Sequence, residues 1–114
     1  MKYYPHRWLV LKLTEKSGQE HLRVFGTWFG GYSGSDSWKL NSGITKVEKI
    51  DDVLVFHGNT GSEYIVDPDS YGSTMYGLEI LGKMRRENSL ILIEELPEDT
   101  NWLELSLSDL KQGT

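Results

Sequence analysis

The sequence predicts an α+β fold built mainly from antiparallel strands, with one helix packed on the sheet. Short apolar runs with a period of two alternate with glycine-rich turns, and one stretch shows the wider apolar spacing of a helix. At 114 residues, the chain is expected to form one domain over residues 1–114. We expect seven or eight short strands, as a meander or a partly closed barrel, and a helix near residues 73–87.

Six strand candidates precede the helix. They are residues 8–13, 21–29, 38–40, 44–50, 53–56 and 64–66. In the first of them, Leu9, Leu11 and Leu13 share one face. Gly26 interrupts the second, which predicts a bulge or a close backbone approach. Residues 53–56 are continuously apolar, as is typical of a central strand.

The helix candidate begins after Ser73, the predicted N-cap, and presents a broad apolar face. Gly77 and Gly82 each disfavour a helix by about 1 kcal/mol relative to alanine, so we expect the helix to press closely on the sheet there. A buried strand is expected at residues 90–93, and alternating leucines predict a final strand at residues 103–107.

Composition narrows the class of protein. The chain has no cysteine, so disulfide and thiolate chemistry are excluded. Neither a signal peptide nor a membrane-spanning run is evident in the sequence, and we expect a cytoplasmic protein with no membrane association. The net charge of −5 is uneven, because residues 87–114 hold seven acidic residues and only Lys111 as a cation. Such a segment can be a solvated surface or a docking face for a basic partner.

A non-enzymatic protein-interaction module is the leading functional hypothesis. Trp28, Tyr32 and Trp38 flank or lie within a glycine-rich loop and are the expected apolar anchors. Glu94 and Glu95 are expected to steer a basic partner. The partner is expected to be another protein, with a second copy of this chain as one form of the hypothesis.

Binding of nucleic acid or a nucleotide is the alternative. The same aromatic side chains could stack on bases, and Lys83, Arg85 and Arg86 form the best basic cluster of the sequence. The acidic balance of the whole chain disfavours this alternative.

A small hydrolase centred on His57 and Asp67 is the third hypothesis, and it requires a pocket that joins the two residues. Residues 67–72 resemble the opening of a calcium-binding loop, but Tyr71 stands where an oxygen ligand belongs. We therefore assign no catalytic residue, no metal site and no cofactor.

Two segments carry a resemblance. Residues 38–44 read W-K-L-N-S-G-I, and residues 57–64 read H-G-N-T-G-S-E-Y. They resemble a group of small bacterial and phage proteins in which a W-x-x-x-S-G-I element precedes an S/T-G-S-x-Y turn. That group has no assigned activity, so the resemblance implies a bacterial or phage origin and no functional residue.

Overall fold

The computed structural model describes residues 1–30 and 36–105. Within them the chain forms eight strands, one α-helix and two short 3-10 helices. In chain order the strands and the α-helix are β1 (Lys2–Tyr3), β2 (Arg7–Glu15), β3 (Glu20–Trp28), β4 (Ser37–Leu40), β5 (Ile44–Ile50), β6 (Val53–Gly58), β7 (Glu63–Val66), α1 (Met75–Glu87) and β8 (Ile91–Glu95). The 3-10 helices are Pro68–Ser70 and Trp102–Glu104. The predicted α+β class is confirmed.

The strands form two four-stranded sheets and no closed barrel in the described part of the chain. Sheet A has the order β1-β7-β6-β5, and sheet B has the order β4-β3-β2-β8. All pairs are antiparallel except β1 with β7, where Lys2 lies opposite Glu63. The sequence missed β1, because two residues are too few to show a period.

The central strands of sheet B, β2 and β3, are buried on both faces. One face packs against sheet A around Trp8, Phe56 and Trp102, whose rings contact each other. The other face packs against α1 through Leu11, Phe25, Leu81 and neighbouring apolar side chains. The molecule therefore has three layers, in the order sheet A, sheet B, helix.

The start of α1 differs from the prediction by one residue. Thr74, and not Ser73, is the N-cap, and its hydroxyl oxygen accepts a hydrogen bond from the Gly77 amide at 3.0 Å. Gly77 has the expected close approach, because a Cβ there would lie 2.6 Å from Thr27 Cγ2 of sheet B. Gly82 does not, because only the end of the Arg86 side chain lies near it.

The strand expected at residues 90–93 is present as β8, but its predicted burial is wrong, because β8 is an edge strand on which Leu92 is exposed. Leu90 is also exposed and precedes the strand. The final strand expected at residues 103–107 begins instead as the 3-10 helix Trp102–Glu104, which turns Trp102 into the core, and residues 106 and 107 lie outside the described residues. The alternating leucines predicted a strand wrongly, because the residue that is buried in this segment is Trp102 and not the exposed Leu103 beside it.

Candidate functional site

The aromatic residues predicted as anchors do not form one surface. Trp38 lies opposite Thr27 on the helix-facing side of sheet B and packs on Phe25, with ring centroids 5.7 Å apart. Trp28 follows Thr27 in β3, so its side chain points to the other face. Tyr32 lies outside the described residues. Trp28 and Trp38 therefore cannot contact one flat partner together.

A different aromatic group is exposed at the end of β3. Tyr4 is 60% exposed and Phe29 is 57% exposed. The Phe29 ring stacks on His6 with centroids 5.8 Å apart, and the Phe29 amide donates to His6 Nδ1. The Trp28 indole N–H donates to the Tyr4 carbonyl at 3.0 Å. We call Tyr4, His6, Trp28 and Phe29 the aromatic cluster; the Phe29 and His6 rings contact each other at the surface, and the half-buried Trp28 is tied to the Tyr4 backbone.

The predicted acidic residues lie at the far edge of the same sheet. Glu94 and Glu95 are on β8, separated from β4 by two intervening strands, or about 14 Å at the usual strand spacing. They point to opposite faces, and Glu95 lies 3.7 Å from Arg85. These carboxylates and Trp38 therefore belong to separate surfaces.

The predicted basic cluster on α1 is divided. Arg85 donates from Nε and Nη2 to the Ile93 carbonyl at 3.2 and 3.1 Å, which holds the helix end against β8. Lys83 and Arg86 are exposed. The surface available to a phosphate backbone on this helix is therefore smaller than the sequence suggests.

His57 and Asp67 are not brought together. His57 lies opposite Glu63 at one end of the β6–β7 hairpin, whereas Asp67 follows Val66 at the other end, more than about 10 Å away. His57 Nε2 instead lies 2.7 Å from Glu48 Oε2. Hydrogen bonds from His57 and Lys46 lower the pKa of the Glu48 carboxyl below its ordinary value. The pocket that the hydrolase hypothesis requires is not formed by these two residues.

The calcium-like segment has a structural role. The Asp67 carboxylate accepts a hydrogen bond from the Asp69 amide at 2.9 Å and so caps the 3-10 helix Pro68–Ser70. Among residues 1–30 and 36–105, no group of three or more histidine or acidic side chains is placed to hold a metal ion.

A cavity of about 190 Å³, lined mainly by polar side chains, lies where the chain crosses from sheet B to sheet A. We call it the crossover pocket. It is lined by Tyr3, Arg23, Lys39, Leu40, Asn41, Ser42, Thr60, Ser62 and Tyr64. Two connections build it: the β4–β5 crossover and the β6–β7 turn. The Asn59 amide donates to the Gly43 carbonyl at 3.0 Å and joins the two connections.

Asn41 is the buried polar side chain of this pocket. It is 2% exposed, and its backbone amide and side-chain Oδ1 both bond to Val24 of β3, at 2.9 and 2.8 Å. Because the Val24 N–H can only donate, Oδ1 must face it, and the amide nitrogen must face the other way. Asn41 Nδ2 has no hydrogen-bond partner within the described residues. This buried donor is thus held in one orientation beside the pocket that Asn41 lines.

Gly58 allows three side-chain hydrogen-bonding groups to lie close to its backbone. A Cβ at this position would lie 2.6 Å from Ser62 Oγ, 3.3 Å from Ser42 Oγ and 3.5 Å from Asn41 Nδ2. Ser42 and Thr60 hydroxyls bond to each other at 3.1 Å, so the hydroxyl that accepts in this pair keeps its own proton for a further hydrogen bond. The glycine therefore brings these groups together beside the pocket.

Two cations complete the lining. Arg23 Nη1 makes a long 3.5 Å contact to the Asn41 carbonyl, and its buried Nε has no partner among the residues described. Lys39 Nζ lies 5.0 Å from the centre of the Tyr3 ring. Burial raises the pKa of the Tyr64 phenol to about 12, so this hydroxyl keeps its proton. None of the nine lining residues is acidic.

Sequence reasoning missed this pocket, although a signal was present. Residues 38–44 and 57–64, the two segments that carry the resemblance, supply most of its lining. Each reads as an ordinary turn when taken alone. Arg23, from β3, joins them only in the folded chain. Their polar side chains can be recognised as one site only when the two turns are known to lie side by side.

None of the described helices is long and apolar enough to cross a membrane. Comparison of the chain with family models, with curated proteins and with solved structures finds no match.

Proposed function

We propose that the protein is a non-enzymatic binding module that recognises an anionic group in the crossover pocket. The observation that carries this proposal is the Asn41 amide nitrogen, a buried donor fixed by its bond to Val24 and left without a partner in the described residues. Buried donors are nearly always paired, and an unpaired one at a pocket calls for an acceptor. Arg23 and Lys39 make that acceptor an anion.

The lining favours binding over catalysis. Ser42, Thr60 and Ser62 carry hydroxyls, but a hydroxyl nucleophile needs an adjacent base. The nine lining residues include neither a histidine nor a carboxylate that could remove the proton. The same hydroxyls are well suited to donate hydrogen bonds to an oxyanion.

The test is a titration of isotopically labelled protein with sodium phosphate, sulfate or acetate at constant low ionic strength, observed by NMR. We expect saturable shifts of the Asn41 side-chain amide and the Gly58 backbone amide. Asn41→Asp keeps an oxygen for the Val24 N–H but replaces the donor with a negative charge, so it should abolish the shifts. Lys83→Gln, which removes an exposed charge from α1, is the matched control and should bind as the wild type does.

Unchanged stability and an unchanged Val24 amide would show that Asn41→Asp still folds. Absence of saturable shifts with all three anions in the wild-type protein would overturn the proposal.

A protein partner is the second candidate, favoured by the aromatic cluster. Exposed aromatic side chains held in fixed positions are typical anchors of protein interfaces. The cluster adjoins the pocket in two places. Tyr3 lines the pocket and is followed in the chain by Tyr4. Lys39, another lining residue, lies opposite Gly26, which packs against Pro5 and Trp28. A partner could therefore place an anionic group in the pocket and contact Phe29 with its surface.

Affinity capture with immobilised protein tests this second candidate. We expect a partner retained by the wild type to be lost from both Phe29→Ala and Asn41→Asp, and to be released by free phosphate. Leu103→Ala, at an exposed position on the Trp102–Glu104 helix, is the control. Equal retention by all variants would contradict a role for the cluster.

A further inference from the structure

We infer that the anionic group taken by the crossover pocket is a phosphate monoester, an inference that rests on the proposed function. The first argument is size. Sites that enclose a whole drug-sized ligand have volumes of about 300–1,000 Å³. The crossover pocket has about 190 Å³. It therefore takes one terminal group of a larger molecule, and the rest of that molecule stays outside.

The second argument is the number of separate segments that supply donors. Arg23 comes from β3, Asn41 and Ser42 come from the β4–β5 crossover, and Thr60 and Ser62 come from the β6–β7 turn. A carboxylate presents two oxygens in one plane. A phosphate monoester presents three terminal oxygens that point in three directions. Donor residues supplied by three segments around one cavity suit the tetrahedral group better than the planar one.

The third argument is charge. A phosphate monoester carries about −1.5 to −2 at pH 7. Arg23 and Lys39 supply two positive charges, and the lining contains no carboxylate to oppose them. A single carboxylate would leave one of the two cations uncompensated. Two cations beside one small cavity therefore favour a dianion.

The remaining lining suits the ester side of the ligand. Tyr3 and Leu40 are half-buried apolar surfaces of the same pocket. Tyr3 also packs on Tyr64, with ring centroids 5.0 Å apart, and carries Lys39 above its ring. The first carbon atoms of an ester can lie against these side chains while the terminal oxygens reach the donors.

The inference predicts a pH dependence that originates in the ligand. The second proton of a phosphate monoester leaves near pH 6. The charged groups among the nine lining residues are Arg23 and Lys39, the other titratable side chains are Tyr3 and Tyr64, and these nine residues include no histidine and no carboxylate. Binding should therefore strengthen about tenfold from pH 5 to pH 8, following formation of the dianion.

Calorimetry or NMR titration with four probes tests this. They are a phosphoserine tripeptide, a nucleoside 5′-monophosphate, sulfate and acetate, each measured at pH 5 and pH 8 at constant ionic strength. We expect the two monoesters to bind more tightly at pH 8. Sulfate, whose charge is constant over this range, should bind equally at both values. Acetate should bind at least about tenfold more weakly than the monoesters at pH 8.

Matched variants assign the effect to the pocket. Lys39→Gln should weaken the monoesters about tenfold and acetate much less, because it removes the second compensating charge. Gly58→Ala should weaken binding of all probes, because its Cβ would lie 2.6 Å from Ser62 Oγ and would displace that hydroxyl. Lys16→Gln, at an exposed position in the β2–β3 turn, should leave every affinity unchanged.

The outcomes separate the two proposals. Acetate binding as tightly as the monoesters, or monoester binding that does not change with pH, would overturn the phosphate assignment and leave anion binding in place. No binding of any probe would overturn both proposals. If the assignment holds, the monoester that binds with the higher affinity shows whether the phosphate belongs to a modified protein or to a nucleotide.

Discussion

Asn41 shows how one side chain can serve the fold and a site together. Its Oδ1 takes the place of a backbone acceptor for Val24, so the side chain continues the ladder of β3 beyond the end of β4. The same bond fixes the orientation of the amide, so that Nδ2 points away from Val24. The sequence offers no sign of this, because an Asn-Ser-Gly run is typical of any turn.

Glu48 provides a test at the residue scale. Hydrogen bonds from His57 and then Lys46 lower the pKa of the Glu48 carboxyl in the folded protein below the ordinary value of 4.5. A depressed pKa stabilises the folded state above the unfolded value, and this contribution is lost as the pH falls through the folded value. We expect Glu48→Gln to reduce stability at pH 6 to 7, with the difference from wild type disappearing below pH 4.5.

Urea denaturation at a series of pH values measures this difference. Glu79→Gln, at an exposed position on α1, is the control and should follow the wild-type pH profile. A Glu48→Gln difference that is constant from pH 7 down to pH 3 would show that the carboxylate is not the source.

At the scale of elements, α1 and sheet B meet through a glycine. Gly77 lies over Thr27 and Phe25, where a Cβ would be 2.6 Å from Thr27 Cγ2 and 3.3 Å from a Phe25 ring carbon. The sequence correctly indicated that a glycine-containing helix must press on the sheet. It could not distinguish Gly77 from Gly82, because both fall within the same apolar pattern and differ only in what lies opposite them.

The two glycines form a matched pair for mutation. Gly77→Ala should destabilise the protein by roughly 1–3 kcal/mol, because the added methyl group overpacks the contact between α1 and sheet B. Gly82→Ala should be neutral or stabilise the protein by up to about 1 kcal/mol, because alanine favours the helix and only the flexible Arg86 lies near. Urea unfolding of both variants measures this, and equal effects would contradict the close approach at Gly77.

At the scale of the whole molecule, β2 is the strand that contacts both of the other layers. Trp8 and Val10 face sheet A, whereas Leu9 and Leu11 face α1. Sequence periodicity identified the strand and one of its faces. Sequence periodicity could not predict which strands belong to which of the two sheets. That assignment depends on the crossover from β4 to β5 and on the packing of Trp102 over Trp8. The crossover pocket was unpredictable for the same reason.

Two buried tyrosines give a prediction for the whole fold. Burial raises the pKa values of Tyr64 and Tyr71 to about 12, from the ordinary value of 10. A raised pKa stabilises the folded state fully below pH 10, and this contribution is lost as the pH rises toward 12. Tyr71 also donates to the Leu96 carbonyl at 2.6 Å and accepts from the Val10 amide at 3.2 Å. We therefore expect alkaline unfolding between pH 10 and pH 12.

Phenolate absorbance and circular dichroism, followed together, measure this transition. The late-titrating phenols should ionise together with loss of structure, and Tyr71→Phe should remove one of them. Tyr4→Phe, at an exposed position, should leave the late-titrating phenols and the unfolding transition unchanged. Complete titration of every tyrosine near pH 10 with the fold intact would contradict the burial of these two.

The crossover pocket also has a mechanical consequence for the protein. Arg23, Lys39 and Asn41 belong to the side of sheet B, whereas Tyr3, Ser62 and Tyr64 belong to sheet A. An occupant that bonds to both sets acts as a removable crosslink between the two layers. By linkage, a ligand at a hundred times its Kd adds about 2.7 kcal/mol to the free energy of unfolding. Recognition and the cohesion of the two sheets would then be one and the same equilibrium.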